Sequence, residues 1–168
     1  MKVLNNSSHK YVSKIVGLVV ALGLSNQAFA ATETGTLTVT ANVQPTCFIG
    51  DSTLAFGEYK PVTDHATAAL DGSTTVSVTC TKDTVAKVYS STDLIDRSMS
   101  NGGTGTLNYK LYTDSGRGTE LGTSDAANTI PVTGTGAAQN IDLFGRIPFG
   151  QNVPSGNYTG TANLTISY

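Results

Sequence analysis

The chain has 168 residues, only 13% of them charged, and a formal net charge of -2 with neither sign clustered. This length fits one domain, and the lack of a basic patch excludes the electrostatic footprint of a nucleic-acid-binding protein. Because Gly and Thr are abundant and strong helix formers are sparse, the composition favours strands joined by turns.

The N-terminus has the three-part pattern of a secretory signal peptide. Three lysines precede an apolar run at residues 15–24, and the small-x-small tripeptide Ala-Phe-Ala follows at residues 28–30. The run is too short for a transmembrane helix. We therefore predict that residues 1–30 are cleaved and that the mature chain begins at Ala31. Cleavage removes three of the 10 basic residues and none of the 12 acidic ones, so 7 - 12 leaves a net charge near -5.

The segment from Thr36 to Val43 alternates strictly between polar and apolar residues. Period-two alternation is the pattern of a half-buried strand, and it places Leu37, Val39, Ala41 and Val43 on one face. The period alone does not decide whose core that face enters. The segment is either the first strand of a self-complete sandwich or a strand given to a second copy of the protein.

Both cysteines, Cys47 and Cys80, lie in the mature chain. An even count in an exported protein predicts one disulfide, which would contribute on the order of 3–4 kcal/mol in the chain-entropy model. The alternative, a metal-bound or reactive thiol pair, lacks the further His or Cys that a zinc site needs.

After the first cysteine, alternation and turn residues predict several short strands. They lie at residues 54–59, 74–80, 85–89, 107–112, 130–133, 138–144 and 157–168. The intervening residues 62–72, 90–105 and 116–129 are polar and predict loops, and the Pro and Gly residues of 145–156 exclude a central strand throughout that segment. With no convincing amphipathic helix in the mature chain, the pattern predicts a β-sandwich of immunoglobulin type.

Sandwiches of this type normally pair the penultimate strand with a closing one, whereas this chain ends on residues 157–168. We therefore expect a hydrophobic groove and an unpaired edge along the last strand, to which another strand can add. The Gln44-Pro45 dipeptide sets the N-terminal strand apart, so the corresponding strand of a second copy would fit. Burying Leu37, Val39 and Val43 would contribute about 1.5–3 kcal/mol each.

Several pieces in a fixed order resemble one known family. They are Cys47, residues 54–59, 76–80, 97–99, 107–114, 145–148 and 156–158. The set resembles the spore coat U domain proteins and, within them, the major shaft pilins of archaic chaperone–usher pili of the Csu type. That resemblance implies an incomplete immunoglobulin-like β-sandwich, completed by a donor strand from a neighbouring subunit. It also implies a structural role without catalysis, cofactor or metal.

The resemblance also implies partners and sites. The expected partners are other copies of the chain, a periplasmic chaperone, an outer-membrane usher, and minor and tip pilins, with the fibre at the cell surface supporting adhesion and biofilm formation. Residues 31–45 would be the donor extension, carrying Leu37, Val39, Ala41 and Val43, and residues 46–168 the pilin domain. The edge that receives a strand or the chaperone would carry Ala162, Leu164, Ile166 and Tyr168. One domain with a donor strand points to a shaft subunit, since a tip adhesin would carry a second domain.

One position departs from the family pattern. Family members usually carry a Trp before the Gly that follows the strand at 107–112, whereas this chain has Leu121-Gly122. The packing of this loop is therefore open.

Single residues suggest other functions. His65 beside Asp64 suggests a Ser-His-Asp triad, but no Gly-x-Ser-x-Gly motif occurs, and a solvated surface histidine is the expectation. Four aspartates could gather around calcium, although neither EF-hand nor nonapeptide spacing is present. They are Asp93, Asp96, Asp114 and Asp125.

The main alternative function is a self-contained secreted module that binds a carbohydrate or a surface. It would use an exposed aromatic platform. The candidate residues are Tyr59, Tyr89, Tyr109, Tyr112 and Phe149.

Overall fold

The computed structural model describes residues 30–92 and 97–168. The predicted signal peptide, apart from residue 30, lies outside these ranges, as do Asp93 and Asp96. The chain divides into two units, Met1–Thr40 and Ala41–Tyr168. The described residues of the first unit form no helix or strand, and Leu37 and Val39 are 85% and 79% exposed. The alternating segment is thus not a strand in the isolated chain.

The described residues of the second unit form nine strands and one short 3-10 helix at Asp64–Ala66. The strands are β1 (Cys47–Ile49), β2 (Leu70–Cys80), β3 (Val85–Ser90), β4 (Ser98–Ser100), β5 (Thr106–Asn108), β6 (Lys110–Tyr112), β7 (Ile130–Thr133), β8 (Ala138–Ile147) and β9 (Leu164–Ser167). Across the described ranges, no helix has the length and apolar character needed to cross a membrane.

The strands form two main antiparallel sheets and a small ribbon. One sheet has the order β1-β2-β8-β6, the other has the order β7-β3-β9, and β4 pairs with β5. The longest ladder joins β2 to β8, from Leu70 opposite Ile147 to Thr79 opposite Ala138. This all-β, immunoglobulin-like sandwich confirms the predicted fold class.

The core lies between the two sheets and follows the predicted alternation. Val76, Val78 and Cys80 on β2 are buried, and Ala86 and Val88 on β3 face them from the other sheet. A second cluster contains Leu107, Tyr109, Leu111, Leu121, Leu143 and Ile147 together with Val76. Both clusters pack against the same isoleucines, so the core is continuous.

The predicted disulfide joins Cys47 to Cys80. The two residues lie opposite each other in the β1–β2 ladder, with their Cα atoms 4.1 Å apart. The adjacent pair Thr46 and Thr81 is hydrogen-bonded, from the Thr81 amide to the Thr46 carbonyl at 2.9 Å. Since antiparallel pairs alternate, the cysteines occupy a non-hydrogen-bonded position, where side chains come closest.

The strand predicted at 107–112 is divided into β5 and β6. Its alternation is correct, because Leu107, Tyr109 and Leu111 are all buried. The Tyr109 amide donates to the Arg97 carbonyl at 2.9 Å, which continues the β4–β5 register by one residue. From Lys110 onward the chain pairs with β8 instead, so the predicted strand belongs to two different sheets.

Other boundaries also differ from the predictions. Residues 54–59 form no strand, although Leu54 and Phe56 pack on the core in the predicted alternation. The last strand begins at Leu164 rather than residue 157, and earlier residues make only a single bridge, from Thr159 to Ser100. The predicted loops 62–72 and 90–105 contain the start of β2 and all of β4.

Candidate functional site: an open groove between two sheet edges

Two of the four outer edges of the sheets are protected. The edge of β6 is covered by the following loop, because the Leu121 amide donates to the Leu111 carbonyl at 2.8 Å and the Thr113 amide to the Thr119 carbonyl at 3.0 Å. The edge strand β7 carries Pro131, which has no amide to offer. The remaining edges belong to β1 and β9.

The outer edge of β9 presents main-chain groups that β3 does not use. The Ser91 amide donates to the Asn163 carbonyl at 2.9 Å, which continues the β3–β9 register. By the alternation of antiparallel pairs, the main-chain groups of residues 163, 165 and 167 face β3. Those of Leu164 and Ile166 face the other way, where no described strand pairs with them.

The facing edge is formed by β1 and the residues after it. The Gly50 amide donates to the Ser77 carbonyl at 2.8 Å, so the main chain of Ile49 points away from β2. Residues 51–58, which we call the wall segment, make no main-chain hydrogen bond to any other described residue. Some Cα atoms of β1 and β9 approach within 8 Å, yet the two strands are not paired.

Between these edges lies a groove with two connected parts, which we call the seam groove. One part has a volume of about 490 Å³ and lies between residues 49–56 and 160–164. The larger part, about 760 Å³, lies between residues 54–61 and 153–158. We call the end of the groove at the larger part the wide end and the end at the smaller part the narrow end. Leu54, Phe56 and Met99 line both parts. The floor consists of side chains from the core cluster, namely Leu107, Tyr109, Leu111, Leu143 and Ile147.

A pair of glycines allows the wall segment to lie close to the first sheet. Gly72 and Gly145 are opposite each other in the β2–β8 ladder. A Cβ atom on Gly145 would lie 2.5 Å from Leu54 Cδ2 and 2.7 Å from Phe56 Cζ, and one on Gly72 would lie 3.0 Å from Phe56 Cδ1. Only glycine at both positions leaves room for these side chains.

The predicted edge residues are distributed unevenly around the seam groove. Ala162 and Leu164 line it, whereas Ile166 packs against the second core cluster and Tyr168 is 59% exposed. The wall segment and Met99 are site residues that the sequence analysis does not identify. The alternation of residues 54–59 is the available signal for the wall, but by itself it predicts a paired strand.

Asp51 and Glu58 line the seam groove, and a group of charged residues outside it stabilises its surroundings. Arg146 binds Asp71 through two hydrogen bonds of 2.7 and 2.9 Å, and the Arg117 Nε atom lies 3.2 Å from the same carboxylate. The hydrogen bond from Arg146 lowers the pKa of Asp71 and raises that of Arg146. Arg117 also donates to the carbonyls of Gly72 and Gly145, both at 3.1 Å, so it links β2 and β8 where the two glycines meet.

A second group of charged residues holds the loop at Leu121-Gly122, where the sequence departs from the family pattern. Leu121 is fully buried, and its carbonyl accepts from Arg97 Nη2 at 2.9 Å. Glu120 lies 2.9 Å from Lys110 Nζ and 3.7 Å from Arg97 Nη1. The Glu120 hydrogen bond raises the pKa of Lys110, while burial raises that of Tyr109. Leucine thus takes a core position in this loop.

His65 has structural contacts rather than catalytic ones. Its Nδ1 atom accepts the Lys60 amide at 2.8 Å, and its ring stacks on Tyr59 with centroids 5.0 Å apart. Asp64 lies 3.5 Å from Lys60 Nζ. The histidine is half-buried, so the expectation of a solvated surface side chain is only partly right.

The proposed aromatic platform does not form. Tyr109 and Tyr112 are buried, and the Tyr59 hydroxyl donates to the Pro148 carbonyl and accepts the Gln151 amide, both at 3.0 Å. Of the five, Phe149 is strongly exposed, at 60%. Among the described residues no cluster of three or more His, Cys, Asp or Glu side chains could hold a metal ion. Asp114 instead caps its own loop, where the amides of Gly118 and Thr119 lower its pKa.

The fold and the groove define an immunoglobulin-like sandwich that is open along one seam. The Spore Coat Protein U domain model matches residues 33–165, so the chain belongs to the Spore Coat Protein U domain family. Protein U of Myxococcus xanthus is 34% identical over 158 residues, which is 84% of this chain and 88% of that protein.

A solved structure has the same fold. It is the CsuC–CsuE chaperone–tip adhesion subunit pre-assembly complex from the archaic chaperone–usher Csu pili of Acinetobacter baumannii, similar with a TM-score of 0.50 and 18% sequence identity. The match covers 75% of this chain but only 40% of the length of the matched chain.

Proposed function

We propose that this protein is a structural subunit of a chaperone–usher pilus that polymerises by donor-strand exchange. Residues Leu37, Val39, Ala41 and Val43 of one copy would enter the seam groove of another. The observation that carries the proposal is the pair of unpaired edges, β9 and the wall segment, on either side of an apolar floor. The other two edges are covered or blocked by proline, which argues that the open seam is functional.

The donor segment is long enough to pair along the whole of β9. At about 3.3 Å per residue, the seven residues 37–43 extend over about 23 Å and the four residues of β9 over about 13 Å. An inserted strand would hydrogen-bond on one side to Leu164 and Ile166 and on the other side to the wall segment. Its apolar face would meet the core, and its threonines would face solvent. Strand complementation of pilins by their chaperones is an established form of strand addition.

The donor side chains are exposed in the isolated chain and available for burial. Leu37, Val39 and Val43 are 85%, 79% and 77% exposed. Burying them would stabilise the joint by about 1.5–3 kcal/mol each, offset by the entropy lost when the segment becomes ordered. Since all contacts must break together, the joint should open slowly.

The place of the subunit and its partners follow from the same proposal. One domain preceded by a donor segment suits a shaft subunit. Residues 1–30 would direct export, a periplasmic chaperone would occupy the β9 edge before assembly, and an outer-membrane usher would join the subunits. Minor and tip pilins would complete a surface fibre that supports adhesion and biofilm formation.

The test is a denaturing gel of protein recovered from the cell surface, with and without boiling. We expect ladders that collapse to one band on boiling and that disappear when residues 31–43 are deleted. Leu37→Asp and Val39→Asp should abolish the ladders because they place a charge on the apolar floor. Thr38→Asp, which lies on the opposite face of the same segment, is the matched control and should retain them. A wild-type monomer whose stability the deletion leaves unchanged would contradict strand donation.

A further inference from the structure

Exposed apolar side chains lie at two places that strand donation would bring together. Phe48, on β1 immediately after the donor extension, is 70% exposed. Val62 and Phe149 are 83% and 60% exposed, on the turns after the wall segment and after β8. The turns touch, because the Gly150 amide donates to the His65 carbonyl at 2.9 Å.

These two turns form the rim at the wide end of the seam groove. Pro61, next to Val62, lines the 760 Å³ part. Tyr59 lines it as well, and its hydroxyl donates to the carbonyl of Pro148, next to Phe149, at 3.0 Å. A strand leaving the groove at this end would therefore emerge beside Val62 and Phe149.

The tether between donor and domain is short. Thr46 is already fixed to the domain, since its carbonyl accepts the Thr81 amide at 2.9 Å and its amide donates to Thr81 Oγ1 at 3.2 Å. The chain from Val43 to Cys47 extends over at most about 14 Å, and Pro45 restricts it further. The surface that carries Phe48 must then lie close to the end of the groove from which the strand emerges.

The residues at the two ends of the seam groove indicate from which end the donor strand emerges. At the narrow end the rim is polar, with Asp51, Ser52 and Thr53 opposite Thr161 and Asn163. The wide end offers Phe48 two exposed apolar side chains on touching turns, whereas at the opposite end Tyr168, 59% exposed, follows β9. Because the chain runs from residue 154 at the wide end to 164 at the narrow end, a donor that exits at the wide end lies antiparallel to β9.

We propose that successive copies share a second contact, in which Phe48 of one copy packs against the rim formed by Val62 and Phe149 of the copy that holds its donor strand. This contact rests on the proposed strand donation. It would fix the angle between neighbouring domains, because a strand and a short tether alone leave that angle free.

Engineered cysteines in the full chain test this contact. Phe48→Cys combined with Phe149→Cys should form a disulfide between copies in the assembled fibre. The resulting ladder should survive boiling without reductant and collapse when reductant is added. The matched control combines Phe48→Cys with Val85→Cys, since Val85 is 71% exposed but lies on β3 near the residues that pair with the end of β9.

The outcomes separate the contact from strand donation. A boiling-resistant ladder for the Phe149 pair but not for the Val85 pair supports the contact. If all variants form ladders that collapse on boiling and none forms the cross-link, strand donation stands and the contact is wrong. Cross-linking through Val85 instead would also overturn it, because the donor would then run in the other direction. If the wild type forms no ladder at all, strand donation fails and the contact fails with it.

Discussion

Gly145 shows how one missing Cβ atom shapes the groove. Leu54 and Phe56 occupy the space that any larger residue would need, and from there they line both parts of the seam groove. Gly72, opposite Gly145 on β2, likewise leaves space for Phe56. The position of the wall therefore depends on two residues in the sheet beneath it.

Replacing Gly145 by alanine should destabilise the domain by about 1–3 kcal/mol, the usual cost of overpacking a tight site. It should also weaken binding of a synthetic peptide of residues 31–46. Gly118→Ala is the control, because Gly118 does not line the groove and a Cβ atom there would lie at ordinary contact distances of 3.8 and 4.0 Å from Asp114. Denaturant unfolding measures the first effect and peptide titration the second. An equal effect in both variants would contradict this account.

Asp71 makes the stability of the sandwich depend on pH. Its pKa is lowered by the hydrogen bond from Arg146, so the folded state favours the carboxylate. The stabilisation is therefore present above the ordinary aspartate pKa near 3.8 and is lost as the pH falls through the lower folded value. The group is partly exposed, which limits the contribution to about 1 kcal/mol.

We expect Asp71→Asn to be less stable than the wild type by about that amount at pH 7. The difference should shrink as the pH is lowered below 4. Denaturant midpoints at several pH values measure this difference. The control is Asp142→Asn, at an exposed position on the same face of β8 as Arg146. A difference independent of pH would exclude the ion pair as its cause.

At the scale of the element, the sequence predicts burial better than pairing. In residues 54–59, 74–80 and 107–112 the alternation correctly identifies the inward side chains. It does not reveal whether the main chain finds a partner, because hydrogen bonding depends on what lies alongside. The wall segment has no main-chain partner among the described residues, and the chain passes from β5, paired with β4, directly into β6, paired with β8.

The same distinction applies to the candidate site. Composition and order along the chain predicted an unfilled edge on the last strand, and β9 has one. The contribution of the wall segment could not be predicted, since it depends on the glycine pair in a ladder that joins distant residues. Met99 lies on β4, in a segment that the polar composition predicts to be a loop. The donor residues remain a prediction.

Main-chain pairing of the donor can be separated from its apolar burial. Thr40→Pro leaves Leu37, Val39, Ala41 and Val43 unchanged but removes an amide from the middle of the segment. Because a proline is not tolerated in a strand paired on both sides, we expect surface ladders to be lost. Thr32→Pro, outside the alternating segment, should retain them. Ladders of normal heat resistance in Thr40→Pro would show that side-chain burial suffices.

At the scale of the whole molecule, the disulfide fixes the short strand β1 to β2. Replacing both Cys47 and Cys80 by alanine should lower the free energy of unfolding by about 3–4 kcal/mol. Because β1 leads directly into the wall segment, peptide binding to the seam groove should weaken as well. Denaturant unfolding compares the variant with oxidised and reduced wild type. If reduction leaves wild-type stability unchanged, the bond contributes nothing.

The covered edge of β6 and the proline on β7 have a consequence for the kind of polymer that can form. With those sites closed, each copy in the proposed fibre would have a valency of two, one segment to give and one seam to receive it. A polymer of bifunctional monomers joined head to tail grows without branching, and the two ends of the polymer are chemically different. The degree of polymerisation then depends on the supply of copies and on any subunit that receives a strand but offers none.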